Sequence, residues 1–307
     1  MKFLKPKFWD SNKISFYSIA LYPISILIKA INFAKYLTIR RQKVSIPVIC
    51  VGNIYLGGTG KTPLCSELYN ILKDLNKKPV FIKKKYEGFE DETNLLKKIG
   101  PIYEDIKRID ALNEATKNKF DVAILDDGFQ DFSIKKNLSI ICFNEKQWIG
   151  NGFVIPAGPL RESLTALKRA DYVMINGKKN INIEDEIYKN NKLIKIFYSK
   201  YIPLNINDFK NQKIICFAGI GNPKNFFDIL KENNIDMINQ ISFPDHYRYS
   251  VKELDDLIKK AIVSKALLLT TEKDYLRINK EYRKNINYLK IRLKLENEFI
   301  YNLKKII

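Results

Sequence analysis

The segment Gly57-Gly58-Thr59-Gly60-Lys61-Thr62-Pro63 brings glycines, a lysine and a threonine together at the spacing that holds phosphate. Glycines let successive backbone N–H groups close around phosphate oxygens, and a helix starting at this point adds its partial positive charge. Lys61 would then reach the β- and γ-phosphates, and the Thr62 hydroxyl would face Mg2+. Tyr55 and Leu56 complete the loop on its strand side. The general pattern G-x-x-x-x-G-K-[ST] asks for glycine where this chain has Tyr55, so the match is confined to the half nearest the phosphates. The context supports it: Ile46–Val51 reads as a buried strand, and a helical pattern runs from Leu64 to Leu75. Strand, glycine-rich turn and helix predict a nucleoside-triphosphate site.

A second acidic element fits the first. The apolar run Asp121–Leu125 reads as a strand and leads into Asp126-Asp127-Gly128-Phe129-Gln130. A strand ending in carboxylate is the shape of a Walker B site, in which the acid holds Mg2+ directly or through water. Adjacent aspartates point in different directions, so one of Asp126 and Asp127 is expected at the metal. Further strands at Pro79–Lys83, Ser139–Phe143 and Tyr172–Ile175 continue the alternation of strand and helix. They predict an α/β fold with a mostly parallel sheet and helices on both faces.

The elements that must position these residues begin with a basic, apolar N-terminus. Residues 1–43 carry nine Lys or Arg against one Asp, eight of the chain's net +19 charges. Ile14 to Ile28 is uncharged, and Ser15, Ser18, Tyr22, Ser25, Lys29, Asn32 and Tyr36 recur at steps of three and four. That spacing draws one narrow polar stripe along an otherwise apolar helix, with Pro23 expected to kink it. Two placements are open: a helix packed over the protein's own core, or one lying in a membrane interface with lysines at anionic headgroups. We favour the membrane; no small-residue cleavage site follows, which argues against a signal peptide.

Composition excludes several classes. With 46% apolar and 28% charged residues the chain is neither disordered nor low in complexity. Four scattered cysteines without a C-x-x-C, and one histidine, exclude a zinc cluster or disulfide framework and fit a reducing cytoplasm. The positive charge attracts anions generally. Abundant Lys, Ile and Asn also point to compositional drift, and no nucleic-acid-binding motif accompanies the charge, so no nucleic-acid partner is expected.

Six separated blocks resemble one family, the tetraacyldisaccharide 4'-kinases that act on lipid A precursors in Gram-negative bacteria. They are Val51-Gly52-Asn53 with the glycine loop; Asp126–Gln130; and Gly150-Asn151-Gly152 with Pro156-Ala157-Gly158-Pro159-Leu160-Arg161-Glu162. Ala218-Gly219-Ile220-Gly221-Asn222-Pro223, Phe243-Pro244-Asp245-His246 and Thr271-Glu272-Lys273-Asp274 follow in family order. Two departures stand out. A Ser/Thr-Arg-Gly-Tyr-Gly segment of the family is Lys83-Lys84-Lys85-Tyr86-Glu87-Gly88 here, and the family's histidine after Gln130 is Asp131.

The resemblance implies transfer of the ATP γ-phosphate to the 4'-hydroxyl of an acylated glucosamine disaccharide 1-phosphate, with Mg2+, at the cytoplasmic face of the bacterial inner membrane. It implies an N-terminal helix (1–43) associated with anionic inner-membrane lipid, a P-loop kinase core (44–205) and a smaller C-terminal α/β domain (206–307) closing the active-site cleft. It matches Asp91 to the family's catalytic aspartate and His246 to its partner. It also suggests phosphate or substrate contacts for Arg161 and Asn151 and a metal role for Glu162 beside Thr62, Asp126 and Asp127. Read locally, Glu90-Asp91-Glu92 is first a solvated acidic helix start, while Thr271–Asp274 is equally a charged turn. The competing function is a membrane-bound P-loop switch ATPase of the partition or cell-division type. Such ATPases carry an additional lysine at the start of the loop, where this chain has Tyr55 or Leu56.

Overall fold

The computed structural model describes residues 5–11, 14–85 and 90–306, the side chains of Glu90 and Asp91 excepted. In chain order the elements are α1 (Phe16–Thr38), β1 (Val48–Gly52), α2 (Lys61–Asp74), β2 (Pro79–Lys84), α3 (Glu90–Lys97), β3 (Ile102–Asp105) and α4 (Arg108–Lys117). Then come β4 (Val122–Asp126), β5 (Leu138–Asn144), β6 (Tyr172–Asn176), α5 (Ile181–Asn190) and β7 (Lys195–Pro203). The remainder is β8 (Lys213–Ala218), α6 (Pro223–Glu232), β9 (Asp236–Ser242), α7 (Val251–Val263), β10 (Leu267–Thr271), α8 (Glu272–Arg277), β11 (Asn287–Leu289), β12 (Ile291–Leu295) and α9 (Asn297–Lys304).

Two sheets result. The larger has the order β12-β7-β6-β5-β1-β4-β2-β3 and the smaller β11-β10-β8-β9. From β7 through β3 every neighbouring pair is parallel, as are all pairs of the smaller sheet. Parallel strands buried on both faces need continuous apolar runs, and β1, β4, β5 and β6 are buried at every position. The expected P-loop α/β class is therefore the observed one. The four cysteines are buried and free, as core residues; burial pushes the Cys142 thiol up to about 12.

The described residues divide into two compact units. One comprises 5–85, 96–200 and 293–306, the other 90–95 and 201–292. This departs from a single cut at residue 206 in two places. The first residues of α3 group with the smaller unit, and the chain's end returns to the larger one, where β12 pairs beside β7 and Phe299 of α9 packs on Phe197 and Tyr172. Both returns depend on contacts between residues far apart in sequence.

Helix α1 packs with its polar stripe inward. It is capped by Ser15, whose hydroxyl accepts from the Ser18 N–H, and it runs through Pro23 without interruption. The residues it buries are Ser18 and Ser25. Ser25 Oγ donates to the Val154 carbonyl at 2.7 Å and accepts from Ala157 N at 3.2 Å. Asn151 Nδ2 reaches Ser18 Oγ, and Tyr22 and Tyr36 meet Phe153 and Phe132 edge-on. The apolar faces point out: Phe16 is 79% exposed, Phe33 63% and Leu37 65%. The helix therefore packs on the protein through its polar stripe, with Ile28 against the Tyr55–Val154–Leu160 cluster, and leaves most of its apolar side chains exposed.

Candidate active site

The phosphate loop leaves the carboxyl end of β1 and enters α2 at Lys61. Gly57 (φ 84°), Gly58 (φ 59°) and Gly60 (φ 90°) all lie in the left-handed region, which a side chain would strain. Asn53, fully buried, ties the loop together. Its Nδ2 donates to Thr59 Oγ1 at 3.0 Å, and its carbonyl accepts from Gln130 Nε2 at 2.8 Å. Tyr55 takes no part through its side chain. The ring is buried against Val154 and Leu160, and its hydroxyl donates to Asp10 at 2.6 Å, an arrangement that pushes the phenol's pKa up through burial and the neighbouring carboxylate. The glycine of the general pattern is therefore replaced by a packing residue, and the loop's phosphate-facing half is unaffected.

The two aspartates after β4 part company. Asp126 is fully buried; Lys83 donates to its Oδ2 at 3.0 Å, and the Cys65 thiol lies 3.8 Å from Oδ1, one turn beyond Thr62 on α2. Lys83 is thereby an internal counter-ion. Of the segment that departs from the family's Ser/Thr-Arg-Gly-Tyr-Gly, Lys83 is thus turned to Asp126, and residues 86–89 lie outside the described residues. Asp127 sits at φ 55°, where Arg108 Nη2 donates to its carbonyl at 2.7 Å. Its carboxylate receives two contacts from Arg161 Nη1, at 2.9 and 3.0 Å, and lies 3.6 Å from Lys61 Nζ. Left-handed backbone at a non-glycine residue is costly and is characteristic of functional sites.

The loop of Arg161 and Glu162 joins this cluster. Gln130 accepts from Arg161 Nη1 at 3.4 Å and donates to Glu162 Oε1 at 3.2 Å. Arg169 pairs with the other oxygen of Glu162, and its guanidinium stacks over Phe129 at 4.6 Å, Phe132 at 4.8 Å and Tyr36 at 5.4 Å. Helix α1 touches the same loop through Asn32 Nδ2, 3.5 Å from the Arg161 carbonyl. Asp131 fills the place of the family's histidine. Its carboxyl stays below the usual range because the Ser133 hydroxyl and the Arg108 guanidinium outweigh the upward push of burial. Asn151 behaves differently from its expected substrate role. Its amide bonds to Phe8 O, Ser18 Oγ and Ala157 O, and its oxygen accepts from Phe153 N, so it is a structural tie.

The second set of predicted residues lies in the smaller unit, at the carboxyl ends of β8, β9 and β10, the edge of a parallel sheet where ligands bind. A Cβ on Gly219 would fall 2.9 Å from Tyr247 Cβ and 3.1 Å from the Pro244 carbonyl, so glycine lets the two loops meet. Asp274 is fully buried. It accepts from Gly219 N at 3.0 Å and Thr271 Oγ1 at 2.7 Å, and pairs with Arg277 at 3.0 Å. His246 (φ 56°) has its Nδ1 3.3 Å from Arg277 Nη2. Asp91 lies in the first turn of α3, its side chain outside the described residues; Glu92, which follows it, accepts from Lys273 Nζ at 2.8 Å. Three blocks that were separate turns in sequence thus form one network. Arg277, Arg108 and Arg169 were missed by sequence reasoning, and their only signal was an arginine among buried neighbours.

A family model for tetraacyldisaccharide-1-P 4'-kinase (LpxK) matches residues 17–307. The chain belongs to the tetraacyldisaccharide 4'-kinase family. A tetraacyldisaccharide 4'-kinase of Pelagibacter ubique is 46% identical over 304 residues, covering 97% of this chain and 96% of that protein. One from Rickettsia bellii is 35% identical, covering 91% and 90%. Among solved structures, the "apo" form of LpxK from Aquifex aeolicus in complex with ATP superposes with a TM-score of 0.69 at 26% identity, over 94% of this chain and 98% of that one. The protein is accordingly an ATP-dependent kinase of lipid A biosynthesis, a class of reaction in which Mg2+ generally accompanies the nucleotide.

The donor set fits that metal. Thr62 offers a hydroxyl at the start of α2, and the buried carboxylate of Asp126 faces the next turn of the same helix. Hard oxygen donors of this kind suit Mg2+, which keeps waters and phosphate oxygens as its other ligands.

Proposed function

We propose that the enzyme transfers the ATP γ-phosphate to the 4'-hydroxyl of an acylated glucosamine disaccharide 1-phosphate at the cytoplasmic face of the bacterial inner membrane. The observation that carries the phosphate-binding half is the left-handed glycine loop that ends in Lys61, 3.6 Å from an aspartate already neutralised by Arg161. Backbone N–H groups of Gly57 to Thr62 hold the phosphates, and Lys61 meets the charge that builds on the β- and γ-oxygens. Thr62, with Asp126 or Asp127, would hold Mg2+, and Glu162 would orient its waters. When bound, the metal adds positive charge at the transferring phosphoryl group.

In the transfer, the 4'-oxygen forms a bond to the γ-phosphorus while the bond to the β-phosphate oxygen breaks, releasing ADP. The hydroxyl proton passes to the Asp91 carboxylate, supported by His246. ATP turnover and lipid phosphorylation, followed together with and without the acylated disaccharide 1-phosphate, test this reading. The expected result is ADP released in step with phosphate appearing on the lipid. ADP release that ignores the acceptor and responds instead to vesicles would make the protein a switch ATPase.

The membrane half rests on the inverted α1. Its outward apolar face, flanked by the basic residues of the N-terminus, suits an interface of anionic lipid, and contacts from Ser18 to Tyr36 hold the helix along the protein. Phe33→Glu with Leu37→Glu removes two exposed apolar side chains and nothing from the buried face. Each is worth about 1.5–3 kcal/mol on burial, so vesicle partitioning should fall more than about a hundredfold with the circular dichroism spectrum unchanged. Undiminished co-sedimentation with anionic vesicles would show that another surface attaches the enzyme.

A further inference from the structure

Helix α8 carries two cations one turn apart, Lys273 and Arg277, which reach different segments of the smaller unit. Residues at i and i+4 share a helix face. Arg277 has a side chain only 8% exposed. It donates to the Gly219 carbonyl at 2.6 Å and to Asp274, and presents Nη2 to His246 Nδ1 at 3.3 Å. Lys273 bonds Glu92, the residue after Asp91. The Thr271–Asp274 block therefore has more to hold than its own turn.

A guanidinium has only donors, so a ring nitrogen facing it must supply a lone pair. On the other side of the ring, Nε2 lies 3.8 Å from the Asp245 carboxylate. Both neighbours favour the same state. We propose that α8 is the positioning element of the Asp91–His246 pair: Arg277 fixes the His246 tautomer, with the Nδ1 lone pair toward the guanidinium and the proton on Nε2, and Lys273 anchors the first turn of α3 through Glu92. With Nδ1 turned to the guanidinium and the proton on Nε2, His246 does not itself accept the substrate proton. This rests on the proposed acid–base role of that pair. Arg277, Asp274 and Lys273 act through other residues and are positioning residues.

His246 is the only histidine in the chain, so one imidazole can be read without assignment. Full-length enzyme labelled with 15N in histidine and held in detergent micelles at pH 8.5 is measured by long-range 1H–15N correlation. The expected spectrum has its pyrrole-type nitrogen coupled to both Hδ2 and Hε1, the mark of Nε2–H. Arg277→Met should mix the tautomers and lower kcat, with KM for ATP unchanged. The loss should lie between about tenfold and the roughly 10⁴ that a wholly wrong tautomer costs a catalytic triad. Lys273→Met should lower kcat and leave the tautomer in place. A wild-type spectrum with the proton on Nδ1 overturns the proposal, as does Arg277→Met with wild-type spectrum and kcat. If Arg277→Met does not fold, the wild-type spectrum alone decides. An Nε2–H spectrum together with a fully active Asp91→Ala variant would instead sink the base assignment while leaving the fixation of His246 intact.

Discussion

Lys61→Ala is expected to reduce turnover at saturating ATP by roughly 10²–10³, the cost of one preorganised charge contact at a developing anion. The effect should fall on catalysis and not on folding. Lys61 lies on the first turn of α2 with a side chain 14% exposed, and its neighbour Asp127 keeps two contacts from Arg161 when the lysine is gone. No buried carboxylate is left without a cation, so the penalty for an unpaired internal charge does not arise. The chemical step loses its neutraliser because charge accumulates on the β- and γ-oxygens as the phosphoryl group moves, where the loop delivers this amine. Nucleotide affinity should change less than turnover, since the backbone N–H groups and the helix terminus remain. The measurement is single-turnover phosphotransfer at saturating ATP, with thermal unfolding as the control. Turnover within a few fold of wild type would remove this loop from the mechanism.

Asp91→Ala and His246→Ala are each expected to lower kcat by about 10²–10⁴, the usual contribution of a positioned proton acceptor, here Asp91 with the imidazole that supports it. Together they should cost little more than the larger single loss, because a carboxylate and the imidazole that supports it act as one unit. Both residues belong to the smaller unit: α3 is tied to α8 through Glu92 and Lys273, and His246 is held by Arg277 from the same helix. One rigid element spacing the two members is what coupling requires. A double-mutant cycle on kcat under saturating acceptor reads the coupling directly. Effects that multiply, or a single variant close to wild type, would dissolve the pair. The Asp274–Arg277 contacts matter here too, since a variant that loosens α8 should reduce the coupling without touching the phosphate loop.

The amino-acid sequence by itself determined the phosphate loop, because everything that makes it work is contiguous: a buried strand, three glycines able to turn left-handed, and a lysine and threonine at the helix start. It also determined the parallel α/β class, through apolar runs such as β1 and β5 that only a sheet buried on both faces accommodates. The ordered blocks up to Thr271–Asp274 carried the family. What each block does was decided by tertiary structure. Asp126 and Asp127 are adjacent in sequence yet answer to Lys83 on one strand and to Arg161 on a distant loop. Asp131 takes Arg108 as partner, Tyr55 and Asn151 turn into packing residues, and Arg277 reaches His246 across a turn of the chain no local pattern connects. The polar stripe of α1 was legible as a stripe, but its facing inward was not, since periodicity places residues on one side of a helix without saying what lies there. The return of 293–306 to the larger sheet was equally hidden. Partners separated by tens of residues are chosen by how crossovers set strand order and register, and that choice is made only when the whole sheet is assembled.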